Sequence, residues 1–292
     1  MSELRKKIPR PIAALLRPLV NHLPIYSRAT VKRHREEFRK LENDLQNAEV
    51  VIAQLSATVK ESGGFVPPPL KLQKRVTNLH FDQFLASGTA TIKDFERILR
   101  PTDRSLKSFD SILDFGVGCA RVARPLRACV GSAARIYATD IDREAIDWCR
   151  ENYVGMAEFE ANDPWPPLKY EDNSFDLIYC TSVFTHLPED MQFKWLAELN
   201  RILKPQGYLI LTTHGEAYYQ HLSAERRAEL ESKGFLHFNN GLTPGLPDFY
   251  LTTFHTHDYL RGRWVEYLQL ISIESRGILG RQDAILCTKK QM

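Results

Sequence analysis

From Ser111 onward, short apolar and β-branched segments alternate with helical ones, and no other feature of the 292-residue chain constrains its fold as tightly. SILDF, RIYAT, AEFE, FDLIYC and YLILTT read as strands. RVARPLRACV, DREAIDWCREN and PEDMQFKWLAELNRIL between them read as helices, the last with Trp195, Leu196, Leu199, Ile202 and Leu203 on one face. Strict alternation predicts a parallel sheet with helices on both faces. LQLISIES and DAILCTK follow with a short connection, which suits an antiparallel pair. The expected fold is therefore α/β and Rossmann-like: a doubly wound, mostly parallel seven-stranded sheet with an antiparallel last strand. KPQG is expected to form a proline-led turn before YLILTT, and KLQKRVTNLHFDQFLASG and TIKDFERILR read as two helices leading into this domain.

Ahead of it, Val31, His34, Phe38, Leu41, Leu45, Ala48, Ile52, Leu55 and Val59 repeat at spacings of 3 and 4 for four heptads, the seam of a coiled coil. The expected organisation is a basic, proline-interrupted arm (1–27), a coiled-coil helix (28–60), a linker (61–70, ESGGFVPPPL) and the α/β domain (71–292). A seam of this kind favours a homo-oligomer over a solitary helix; folding back onto the chain's own body is the alternative.

Charge is asymmetric. Residues 1–40 carry eleven Lys/Arg against three Glu, a net +8, and the rest carries −5. A charge of −5 beyond residue 40 gives little reason to expect nucleic acid as a partner. The arm is suited to peripheral contact with an anionic membrane surface, or to packing on the body. Its apolar stretch is followed by no small-residue cleavage site, so no secretion signal is read there. The five widely spaced cysteines contain no CxxC and suit a reducing, cytoplasmic setting.

The first strand ends in a glycine turn, LDFGVGCAR. Gly116 and Gly118 allow a tight turn and close approach of the main chain to a ligand. Asp114, two residues earlier, would repel a pyrophosphate, which argues against a dinucleotide, and would welcome a cation. S-adenosylmethionine brings an ammonium and a sulfonium. YATDID ends the second strand with Asp140, an acceptor for both ribose hydroxyls, followed by Ile141. FEANDPWPP ends the third with Asn162 and Asp163, which suit an adenine edge. Three such signals at successive strand ends reinforce one another.

LDFGVGCAR, YATDID, ANDPWPPLKYEDNSFDLIYCTSVFTHL and LKPQGYLILTT together resemble the class I S-adenosylmethionine-dependent methyltransferases over about residues 75–290. The resemblance implies that Asp114, Gly116 and Gly118 meet the methionine part of the cofactor, Asp140 the ribose, Asn162 and Asp163 the adenine, and that Thr181 and Ser182 line the pocket. The family's usual third glycine is Ala120 here, a mild obstacle to helix–strand contact. FLASG, GCAR, SVFTHL and a tract of the form W…G…QD (Trp264, Gly277 or Gly280, Gln282-Asp283) resemble a bacterial subgroup associated with glycan or lipopolysaccharide modification.

The resemblance implies methyl transfer from S-adenosylmethionine, with a glycan or small-molecule hydroxyl as the leading acceptor. An amine or carbon acceptor and a non-catalytic, cofactor-binding scaffold are the alternatives. In-line displacement on an activated methyl needs alignment and no metal, but a hydroxyl benefits from a base. His214, directly after YLILTT, is the first candidate. His186, in SVFTHLPED, is the second, its alternative being to fix that turn. His255 and His257 in FHTHDYL lack accompanying acidic or cysteine ligands, so no metal is expected. The segment at about 214–262, rich in Tyr and Phe, is expected to form a lid over the acceptor.

Overall fold

The computed structural model describes residues 28–61, 66–76, 81–239 and 246–290. The arm (1–27), linker residues 62–65 and GLTPG (241–245) lie outside them. The chain divides between Pro67 and Pro68 into two units.

In the first unit a single helix, α1 (Arg28–Glu61), spans the heptad repeat. Seam residues Phe38 and Leu41 are 63% and 66% exposed, and ion pairs Lys32–Glu36 and Arg33–Glu37 run along the surface. Among the described residues no helix is long and apolar enough to cross a membrane.

The second unit opens with α2 (Leu70–Val76) and α3 (Phe81–Leu99). It continues β1 (Ser111–Phe115), α4 (Ala123–Val130), β2 (Arg135–Asp140), α5 (Arg143–Asn152), β3 (Glu158–Ala161), β4 (Phe175–Cys180), α6 (Glu189–Ile202) and β5 (Leu203–Thr213). Then come α7 (Glu216–Tyr219), α8 (Ala224–Lys233), β6 (Phe235–Phe238), β7 (Thr252–His255), α9 (His257–Arg263), β8 (Leu268–Ile278) and β9 (Gln282–Lys289). Seven strands form one sheet in the order β3-β2-β1-β4-β5-β9-β8. The first five are parallel, and β9 runs antiparallel to both β5 and β8. The order reverses between β1 and β4, so the carboxyl ends of these two strands open the crevice in which such sheets bind ligands.

Successive strand residues point to opposite faces, and both faces here are buried. Ile112, Leu177, Tyr179 and Ile210 join Phe95, Leu99 and Leu126 on one side. Leu113, Ile178, Leu209 and Leu211 join Trp195, Leu196 and Leu199 on the other. This explains why β1 and β4 read as nearly unbroken apolar runs.

Two local expectations are corrected. FLASG does not end a helix, because α3 runs unbroken from Phe81 to Leu99. Gly88 stands inside it because a Cβ there would run into the carbonyl oxygen of Arg121, just beyond the glycine turn. KPQG is not a turn ahead of the strand but a bulge within β5. Phe175 pairs with Leu203 and Leu177 with Tyr208, so two steps along β4 are matched by five along β5. The 214–262 segment, expected as a lid, is itself structured. β6 and β7 form an antiparallel ribbon, Ser223 and Thr256 cap α8 and α9, and Leu230, Leu236 and Phe254 make a small core with Tyr218, Tyr219 and Phe238.

Candidate active site

The turn after β1 is tied to the end of β2, since Gly116 N and Val117 N donate to the Thr139 carbonyl at 2.8 and 3.0 Å. Gly116 (φ 85°) and Gly118 (φ 54°) adopt left-handed backbone. A Cβ at Gly116 would collide with the Val183 side chain, and one at Gly118 with Val76. Ala120, at the place of the missing third glycine, is itself left-handed at φ 61°, which costs an L-residue roughly 1–2 kcal/mol. The expected obstacle to helix–strand contact is thus a conformational one, because α4 does not begin until Ala123.

A cavity opens at this edge. Its wall takes Gly116 and Gly118 from the turn, Asp140 at the end of β2 with Ile141 and Asp142 beyond it, Asn162 and Pro164 after β3, and Thr181 and Ser182 after β4. Asp140 joins the first two elements: its carboxylate accepts from Gly118 N (2.7 Å) and Asp142 N (2.8 Å). Burial raises its pKa to about 6, against the pull of these donors. Asn162 donates to the Asp163 carbonyl (2.7 Å), while its Oδ1 is buried without a partner on the same wall.

Two expected contacts stand off the wall. Asp163 turns outward to Arg143, 3.6 Å away, with its side chain mostly exposed. Asp114 lies behind the glycine turn, 1% exposed. Its Oδ2 accepts from the Tyr179 hydroxyl at 2.6 Å and its Oδ1 has no partner. Burial lifts its pKa to about 7, with Asp140 adding repulsion and Arg121 opposing it. Asp114 therefore stands off the cavity wall, behind the turn.

Sequence reading missed Arg75 and Asp142, which also form the wall. Arg75, on α2, reaches Asp142 at 2.7 Å and Glu144 at 2.8 Å, and Lys71 joins Glu144. These bonds hold α2, and with it Val76, over the glycine turn. Asp142 was detectable as an N-cap, and it accepts from Ala145 N at the start of α5. Arg75 had no such local signal.

The loop between β4 and α6 completes the wall with Val183, His186 and Leu187. The inserted ribbon braces it: Thr253 N donates to Thr185 O (2.8 Å), Leu251 N to His186 O (3.3 Å) and Thr253 Oγ1 to Leu187 O (3.0 Å). The insertion adds Leu246, Phe249 and Tyr250 to the wall. His186 stacks on Tyr250 at 4.1 Å. Its Nδ1 lies 2.6 Å from the Leu251 carbonyl. A carbonyl only accepts, so Nδ1 carries the proton and Nε2 of the neutral ring is the acceptor. Burial lowers the His186 pKa to about 4.

His214 sits behind His186, their rings 6.1 Å apart. It is off the wall, bonded through Nδ1 to the Thr253 carbonyl (3.0 Å), and burial lowers its pKa to about 3. Of the two candidate bases, then, His186 is the one that reaches the cavity. His255 and His257 serve separate partners, Gln192 (2.9 Å) and Asp283 (2.7 Å).

Glycines that a Cβ would obstruct, a carboxylate at the end of β2 and an orphaned acceptor after β3 fit an adenosyl ligand carrying positive charge. Residues 112–207 match a methyltransferase domain family. The chain is similar to a probable methyltransferase, ltbC, of Aspergillus luteorubrus, with 28% identity over 153 residues, 49% of this chain and 52% of that protein. It is also similar to phosphoethanolamine N-methyltransferase of Plasmodium falciparum, with 23% identity over 208 residues, 65% and 76% of the two chains. A solved S-adenosylmethionine-dependent methyltransferase from Methanosarcina mazei aligns at 21% identity and a TM-score of 0.47 over 63% of this chain and 93% of that one. The chain thus spans about half the length of the first of these relatives. A methyltransferase domain, residues 112–207, thus lies within the α/β unit.

Proposed function

We propose that the chain is an S-adenosylmethionine-dependent methyltransferase that methylates a hydroxyl of a glycan or polyhydroxylated small molecule, with His186 as general base. One observation carries this reading: a neutral imidazole on the cavity wall, its Nδ1–H committed to the Leu251 carbonyl and its Nε2 left to accept. The cofactor supplies an activated methyl carbon. Gly116, Gly118 and Asp140 would hold it in place, Asn162 would accept from its base, and Nε2 of His186 would take the proton of the acceptor hydroxyl. The aromatic faces of Phe249 and Tyr250 on the same wall suit a sugar-like acceptor. The subgroup resemblance carried by SVFTHL and Gln282-Asp283 points the same way.

A nitrogen acceptor has one observation in its favour, the acidic wall formed by Asp140 and Asp142. Labelling extracts with a methyl-tritiated donor and mapping the methylated atom separates the two: labelled nitrogen or carbon would defeat the hydroxyl reading. His186→Ala is expected to lower kcat by about 10²–10⁴-fold while leaving affinity for S-adenosylhomocysteine nearly unchanged. With a pKa of about 4 in the fold, this base is expected to stay active at pH 5.5. A kcat that drops between pH 8 and 5.5 with a midpoint near the ordinary histidine value would contradict the assignment.

We further propose that α1 pairs with α1 of a second copy, covering Phe38 and Leu41. Leu41→Glu in the full chain is expected to reduce the mass seen by light scattering to that of one chain; an unchanged assembly would refute the pairing.

A further inference from the structure

We infer that Gln282 is a positioning residue for the cofactor cavity, acting through Ser182. Ser182 is on the wall with φ 62°, a conformation unfavourable to any residue with a Cβ. Two bonds hold it there. Its N–H donates to Thr212 Oγ1 at 2.8 Å, and its hydroxyl meets the Gln282 amide, Nε2 at 2.8 Å and Oε1 at 3.1 Å. Thr212 is fully buried in β5. Gln282 opens β9, which is fixed to β5 by the pair Thr213↔Asp283. Both tethers therefore start from the rigid sheet.

What they hold is the direction in which the chain leaves β4. The next residue, Val183, fills the space that Gly116 leaves open, and His186 follows three residues later on the same wall. Gln282 itself is not part of that wall and lies outside the 112–207 methyltransferase match. Among the described residues its side-chain hydrogen bonds go to Ser182. Releasing it should let Ser182 relax to a negative φ and carry Thr181 and Val183 away from the glycine turn.

The inference rests on the cofactor reading of the cavity, and a calorimetric cycle on the full chain tests it with S-adenosylhomocysteine as the probe. Gln282→Ala is expected to weaken binding about tenfold. In a Ser182→Gly background the same replacement should change affinity less than about twofold, because glycine takes positive φ without a tether. Gln282→Met, close in shape but unable to bond the serine hydroxyl, replaces Gln282→Ala if the alanine chain does not fold. Equal losses in both backgrounds, or an unchanged affinity on losing the amide, would overturn the inference alone. Failure of the wild-type chain to bind would overturn the cofactor reading and this inference with it.

Discussion

Asp140→Ala is expected to weaken S-adenosylmethionine and S-adenosylhomocysteine binding by at least 100-fold in calorimetric titration. The effect is large because one carboxylate does two things. It ties the glycine turn to the turn before α5 through Gly118 N and Asp142 N, and it is the acidic group at the end of β2 on the cavity wall that is proposed to hold the ribose. Hydrogen bonds to a charged acceptor contribute about 1.5–3 kcal/mol each, and 100-fold in affinity is about 2.7 kcal/mol, so losing the ribose contact and loosening the turn is sufficient. Asp140→Asn keeps the shape but must present an NH₂ where a backbone N–H already points, and at least a tenfold loss is expected. Since burial raises this carboxyl to about 6, wild-type affinity should strengthen as pH rises from 5 to 7. A folded Asp140→Ala chain binding within threefold of wild type would show that the ribose is held elsewhere.

The sequence made most of the sheet legible and about half of the site. β1 and β4 announce themselves because both of their faces are buried, so apolar residues run almost without a break. Gly116, Gly118 and Asp140 are readable because they are fixed by the strand end on which they sit. Asn162 and Asp163 form one pair of candidates in the sequence, yet neighbours in an extended segment point opposite ways, so Asn162 faces the cavity while Asp163 meets Arg143. That alternation was available in the sequence. The sequence puts His214 ahead of His186 and the structure puts only His186 on the cavity wall, because the order depends on where β7 runs. Leu251, which orients His186, is 65 residues away, and Thr253, which holds His214, is 39 away. Arg75 and Gln282 are further from local signals still, reaching partners 67 and 100 residues distant. KPQG and FLASG misled for a related reason. Both carry turn residues, but tertiary contact turns one into a bulge and uses the other's glycine to admit the Arg121 backbone.

The stability difference between wild type and Asp114→Asn is expected to shift by about 4 kcal/mol in favour of the variant between pH 4 and pH 8, measured by urea unfolding of the cofactor-free chain. The sign follows from where the proton sits. In the fold burial lifts Asp114 to about 7; in the unfolded chain it titrates near ~3.9. The folded state therefore holds this proton more tightly, and stability falls as pH rises. The contribution is fully present below about pH 4 and lost once pH passes about 7, at about 1.4 kcal/mol per pKa unit. An asparagine can still accept from the Tyr179 hydroxyl but never buries a charge, so it escapes the loss. Comparing the two chains is necessary because His186 and His214, held at about 4 and 3, give the opposite slope: their folded pKa values are depressed, so they add stability as pH rises toward the ordinary histidine value. Those terms are common to both chains and cancel in the difference. A positive sulfonium at the glycine turn stabilises the ionised form of Asp114, so near pH 6.5 S-adenosylmethionine binding should release more protons than binding of S-adenosylhomocysteine, which lacks that charge. Asp114→Asn should narrow the gap between the two proton counts. Equal stability differences at pH 4 and pH 8 would mean that Asp114 is ionised throughout and compensated by Arg121, and the electrostatic role given to it here would fail.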